Sequence, residues 1–208
     1  FLFERDEKYE EFLKRFPFLS EYDVVNLYKV YILDELTKKY DHVLYVDYDV
    51  YFRTNVDVFN YVPCESCICC NTETPEQAGV ERESHLYYHW YNHDFRNPEA
   101  KFWNAHALLT EENLDPENLV FNTGVLVASR RVMERLDYFS DIDDVIETMK
   151  NLKEDDFSMY PPQIQKSFGY DNETIMSYKV KKNNVPSYNL PKWWHHKNHY
   201  SCKKSFDP

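Results

Sequence analysis

Tyr9, Phe12, Leu13 and Phe16 recur at i, i+3, i+4 and i+7, the single apolar stripe of an amphipathic helix. Pro17 ends that helix because it has no N–H to donate back along the turn. Asp23 is placed to cap a second helix with apolar positions Val24, Leu27, Tyr28, Tyr31, Ile32 and Leu36. Lys38 and Lys39 close it with the charge that a helix C-terminus favours. The period then changes: Val43-Leu44-Tyr45-Val46 is a continuous apolar run of strand length. A helix followed by a strand that does not alternate predicts an α/β domain whose mostly parallel sheet is covered by helices on both faces.

The pattern stays legible downstream, with one gap. Residues 67–70 read as a buried strand. From 71 to 118 no period dominates, and the segment His85-Leu86-Tyr87-Tyr88-His89-Trp90-Tyr91-Asn92-His93 is dense in rings and polar side chains. Long segments without a period inside a compact domain are often functional, so 71–118 is expected to be an irregular insertion or lid. Leu119-Val120-Phe121 and residues 125–128 form a strand interrupted by Asn122-Thr123-Gly124. Helical stripes follow at Val132 and Leu136, at Ile142, Val145, Ile146 and Met149, and over Asn172–Lys182. Residues 192–208 read as a polar arm, and the whole of 1–208 as one domain without repeats or low-complexity tracts.

Charge narrows the partners. A formal net charge of −12 argues against nucleic acid or an anionic membrane surface, and a phosphate-bearing ligand needs a metal or placed cations to overcome it. No apolar run approaches the ~18 residues of a membrane span, and no signal peptide opens the chain. Five cysteines, Cys64, Cys67, Cys69, Cys70 and Cys202, give an odd count without the paired spacing of a disulfide framework or a structural zinc site. They fit buried thiols in a reducing compartment, so a cytoplasmic location is expected. Eighteen tyrosines suit surfaces that stack on and hydrogen-bond to sugars, although many must simply be core.

Four places carry candidate chemistry. Asp47 and Asp49 flank Tyr48 at the end of the apolar strand, where i and i+2 share a face and a sheet opens onto its ligand crevice. Two hard anionic oxygens there suit a divalent cation and the phosphates it carries, whereas a polar strand-to-turn cap would also use Asp. Asn122-Thr123-Gly124 places a glycine inside a strand, which marks either a close ligand approach or a bulge. Asp171 and Glu173 bracket a helix start, as acids that orient a ligand or as caps. His195, His196 and His199, with Lys203 and Lys204 behind them, offer an imidazole to a metal and cations to a diphosphate, or else form a solvated tail.

Taken in order, these residues resemble the GT-A fold glycosyltransferases, and within them the glycogenin-like and lipopolysaccharide galactosyltransferase-like enzymes of glycosyltransferase family eight. The likeness rests on Lys29 in the helix before the strand, on Leu44-Tyr45-Val46-Asp47-Tyr48-Asp49-Val50, on Phe121-Asn122-Thr123-Gly124-Val125, and on Asp171-Asn172-Glu173. Its last element is a looser match at His199-Tyr200-Ser201-Cys202-Lys203, which keeps His195 and His196 as alternatives. The resemblance implies a single GT-A-like domain and a nucleotide-diphosphate sugar donor. It implies Mn2+ or Mg2+ held by Asp47, Asp49 and His199, and donor contacts from Lys29, Asp47, Gly124 and Lys203. Asn122, Asp171 and Glu173 would be the catalytic set, transfer would retain anomeric configuration, and the acceptor would be a glycan, protein or lipid-linked sugar. An imidazole beside two carboxylates favours Mn2+. The nucleotide-binding strand and helix with which that family begins find no counterpart here, so a chain lacking that start is expected. Two other readings use the same residues: a haloacid-dehalogenase-type phosphatase with Asp47 as nucleophile, and a catalytically silent carbohydrate-binding module.

Overall fold

The computed structural model describes residues 5–48, 50, 57–62, 66–80, 97–156, 158, 160 and 162–190. Helix α1 (Glu7–Arg15) starts at Asp6, whose carboxylate accepts the N–H of Tyr9 at 2.9 Å. Its stripe packs on α2 (Glu21–Thr37), with the rings of Tyr9 and Tyr28 5.4 Å apart and Phe12 against Tyr31. The cap of α2 lies three residues earlier than expected. The Ser20 hydroxyl accepts the N–H of Asp23 at 3.2 Å, and the Asp23 carboxylate accepts the N–H of Ser20 in return. Asp23 is therefore the acidic partner of a capping box, a role that a Ser-x-x-Asp spacing fits as well as its own cap. At the other end, Arg130 donates to the carbonyls of Thr37 and Lys38, while Lys38 pairs with Asp34 and Glu35. The distant Arg130 guanidinium thus satisfies the carbonyls of Thr37 and Lys38, and the N–H groups of Lys39 and Tyr40 satisfy that of Leu36. Ser20→Ala should lower stability by about 1 kcal/mol, read as an earlier urea midpoint at unchanged slope.

The sheet holds β1 (His42–Val46), β2 (Ile68–Glu73), β3 (Val120–Ser129) and β4 (Ser187–Asn189) in the order β1-β3-β2-β4. β3 runs antiparallel to both β1 and β2, and β4 pairs parallel to β2. The sheet is thus mixed, and the expectation of a mostly parallel one is corrected. Continuous apolar character reports that both faces are covered, and a covered antiparallel strand carries it equally well. One face meets the main core through Ile68, Cys70, Leu126 and Ala128, with Val43 and Tyr45 at its margin. The other meets a smaller cluster of Cys67, Cys69, Val125, Val127 and Leu190.

The helices that cover the sheet come largely from the second half of the chain. They are α4 (Asn97–Glu111), α5 (Arg130–Leu136), α6 (Ile142–Glu154), α7 (Pro162–Ser167) and α8 (Asn172–Lys182), with the short α3 (Pro75–Ala78) after β2. Helix α4 corrects part of the 71–118 reading: Phe102, Ala105, Leu108 and Leu109 are fully buried, so this stretch is core and not irregular lid. Its period was hidden because a helix buried on several sides shows no single stripe. Residues 81–96, the centre of that expected lid, and 192–208, the expected arm, lie outside the described residues. Among the described residues, no helix is long and apolar enough to cross a membrane. Cys67, Cys69 and Cys70 are buried as expected, with burial pushing the Cys70 thiol well up.

Candidate functional site

Strand β1 delivers Asp47 to the edge of the sheet and stops there. The N–H of Val50 donates to the Asp47 carbonyl at 3.0 Å, so the chain turns one residue after the last strand position, Val46. The Asp47 side chain is about one-third exposed. Its Oδ1 accepts the Tyr45 hydroxyl at 2.6 Å and lies 3.5 Å from Lys29 Nζ, which itself sits 5.3 Å from the centre of the Tyr45 ring. Lys29 reaches this point from α2 with only 8% of its surface exposed. Among the described residues Oδ2 of Asp47 accepts no hydrogen bond, while Oδ1 takes both Tyr45 and Lys29. Tyr48 beside it is fully exposed.

The Asn122-Thr123-Gly124 interruption is a wide bulge. On β2 the pairing passes from Cys70 to Asn71 without a gap, while on β3 it jumps from Leu126 to Asn122. Three residues, Thr123 to Val125, therefore have no opposite number on β2. An odd insertion flips the side-chain parity, which is why Phe121 and Leu126 both face the main core although five positions separate them. The bulge is fastened on two sides. Towards β1, the Gly124 carbonyl accepts the Asp47 N–H at 2.8 Å, and the Asn122 Oδ1 accepts the Gly124 N–H at 3.1 Å. Towards α8, Thr123 donates its N–H to Glu173 Oε1 at 2.9 Å, and Asn172 Nδ2 donates to the Thr123 hydroxyl at 2.9 Å.

Helix α8 begins where the sequence expects it, with Asp171 as its cap: one carboxylate oxygen accepts the Thr174 N–H and the other the Thr174 hydroxyl, both at 2.8 Å. Glu173 is held on both oxygens too, by Thr123 on one and by an ion pair with Lys101 of α4 on the other. The structure thus links Lys29, Asp47, Asn122, Gly124 and Glu173 through direct bonds from the end of β1 to the start of α8. Asp49, His199 and Lys203, with His195, His196 and Lys204, lie outside the described residues. Among the described residues, no group of three or more His, Cys, Asp or Glu side chains is gathered to hold a metal ion. Asp47, half-open and anionic, fits a cation as one ligand.

The family model for glycosyl transferase family 8 matches residues 2–162 of the 208. The chain belongs to glycosyl transferase family 8. It is therefore a glycosyltransferase, and family 8 membership sets aside the phosphatase reading of Asp47. The matched stretch contains Lys29, Asp47, Asp49, Asn122 and Gly124, and it ends before Asp171, Glu173, His199 and Lys203. No curated protein sequence matches the chain, and no solved structure does.

Lys101 joins the site with no mark in the sequence, and Tyr45, Thr123 and Asn172, which the sequence shows only as members of longer motifs, join it with bonds of their own. The signal for Tyr45 was present: it stands two residues before Asp47, and the period-2 rule puts the two side chains on one side. Nothing local marks Lys101, which lies 72 positions from Glu173.

Proposed function

We propose that this family 8 glycosyltransferase takes its sugar from a nucleotide-diphosphate donor bound over Asp47, with a divalent cation between carboxylate and diphosphate. The observation that carries the reading is the Asp47 carboxylate, about one-third exposed at the strand end and anchored through Oδ1, beside a buried lysine and a glycine-containing bulge. Asp47, Asp49 and His199 would hold the ion, which when bound supplies Lewis-acid neutralisation of the charge on the departing nucleoside diphosphate. Mn2+ suits a shell that includes imidazole better than Mg2+ does. Lys29 and Lys203 would place positive charge where the overall −12 would otherwise repel phosphate. Tyr45 and Lys29 hold the Asp47 carboxylate in one orientation, so little rearrangement is needed when the donor arrives.

The bulge would lie beneath the reacting sugar. Gly124 lets the backbone approach closely, and the Asn122 amide would face the anomeric carbon. Asp171, at the start of α8, would orient donor hydroxyls by exchanging part of its cap bonding. Retention of configuration and a glycan, protein or lipid-linked acceptor complete the proposal. It is tested by offering the purified chain a panel of nucleoside-diphosphate sugars with Mn2+ and following release of the nucleoside diphosphate. Metal-dependent release with at least one donor is expected. Metal-dependent binding without release would point to a silent binding module, and neither binding nor release would overturn the reading.

A further inference from the structure

We infer that Lys101 and Glu173 are positioning residues, which clamp the β3 bulge from behind and thereby set Asp47 and Asn122 in place. The inference rests on the donor-site reading for its catalytic consequence, while its structural part stands by itself. The bulge has lost the β2 ladder over three residues, and a buried strand N–H left there without a partner is destabilising. Glu173 supplies the missing acceptor to the Thr123 N–H at 2.9 Å and also takes its hydroxyl at 3.4 Å. The Glu173 side chain is 13% exposed, and a carboxylate so enclosed needs a counter-charge. Lys101, on α4 and itself mostly enclosed, provides it through the second oxygen. Asn172 secures the same threonine from the other side, with Nδ2 on its hydroxyl.

From this clamp the path to the site is two bonds long. Thr123 fixes Gly124, whose carbonyl takes the Asp47 N–H and whose N–H donates to the Asn122 side chain. With both of its oxygens engaged inward, Glu173 acts through Thr123 and does not itself reach a donor hydroxyl. This separates Glu173 from Asp171 in role, although both belong to the acidic start of α8.

Three variants test it: Lys101→Met removes the cation, Glu173→Gln keeps shape and one acceptor, and Lys101→Arg keeps the charge. Amide hydrogen exchange at Thr123, Gly124 and Asp47 should rise several-fold in Lys101→Met relative to Leu126 and Val127, and return towards the parent in Lys101→Arg. Turnover should fall about 10–100-fold in kcat, the loss expected of a slight misplacement, with KM for the donor changed little. Lys101→Met and Glu173→Gln together should be no worse than the worse single change, because they break one unit. Should Lys101→Met not fold, Glu173→Gln carries the same exchange and kcat comparisons. Unchanged exchange at Asp47 in a folded variant overturns the inference. So does a Glu173→Gln effect confined to KM, which would make Glu173 a direct donor contact. If the parent chain turns over no donor, the donor-site reading fails, and exchange at Asp47 still decides whether the clamp exists.

Discussion

Asp47→Asn should lose about 10²–10³ in kcat/KM, the size found when one preorganised electrostatic group at a reacting centre is removed. The change is nearly isosteric. The amide that replaces the carboxylate keeps an oxygen to accept the Tyr45 hydroxyl, and the backbone bond to Gly124 is untouched. What disappears is the carboxylate's negative charge, which serves both an incoming cation and Lys29 at 3.5 Å. With about one-third of the side chain exposed, the fold should hardly notice. Tyr45→Phe removes one hydrogen bond to the same carboxylate and leaves the charge, so its effect should be near the roughly 0.5–1.5 kcal/mol of such a bond, about tenfold at most. Calorimetry of Mn2+-dependent nucleoside-diphosphate binding separates the two. A strong loss in Asp47→Asn beside a mild one in Tyr45→Phe is expected, and equal parent-like binding in both would remove Asp47 from the site.

The contrast between those two residues also shows what the sequence could reveal. Asp47 was visible because a carboxylate at the end of an apolar strand is chemically conspicuous, and its neighbour Tyr45 follows from strand period alone. The α8 boundary was visible as well, since Asp171 before a helical stripe is a cap by composition. The direction of β3 was not: burial on both faces erases the alternation that distinguishes the two kinds of sheet. Helix α4 was hidden for the same reason, because Glu99, Asn104 and Ala107 are buried on the faces away from Phe102, Ala105, Leu108 and Leu109. The bulge was anticipated as one of two meanings of Gly124, and the structure makes that bulge the connection between Asp47 and α8. Lys101 and the Arg130 cap of α2 come from long-range pairing, which no local pattern encodes. The strand end at Asp47 and the start of α8 were therefore legible, and the long-range bonds that link them were not.

The largest effect on stability should come from Asp141→Ala. Lys179 is buried to 1% of its side-chain surface, where its ammonium donates to the Asp137 carbonyl at 2.8 Å and pairs with Asp141. Asp141 also takes Lys182 at 2.9 Å, which in turn meets Glu112 at 2.8 Å and the Tyr178 hydroxyl at 2.7 Å. This knot ties α8 to the end of α4 and to the α5–α6 junction. Removing Asp141 leaves a buried cation with a carbonyl alone, a change worth about 3–5 kcal/mol. At ~2–4 °C per kcal/mol for a chain of this size, Tm should fall on the order of 10 °C. Lys179→Met should cost less, because Asp141 is more exposed and keeps Lys182.

The pH dependence has a definite sign. Burial alone would raise the Asp141 pKa, but the hydrogen bonds from Lys179 and Lys182 outweigh it and hold the carboxyl below its ordinary value of 3.8. A carboxylate depressed on folding gives stability that is fully present above its unfolded pKa and is lost as pH falls through the folded one. Urea midpoints taken downward from pH 7 should hold steady to about pH 4 and then drop, more steeply in the parent than in Asp141→Ala. Parallel acid limbs in the two proteins would show that the ion pair contributes nothing to acid stability. A Tm loss larger in Lys179→Met than in Asp141→Ala would reverse the assignment of which charge the fold can least leave alone.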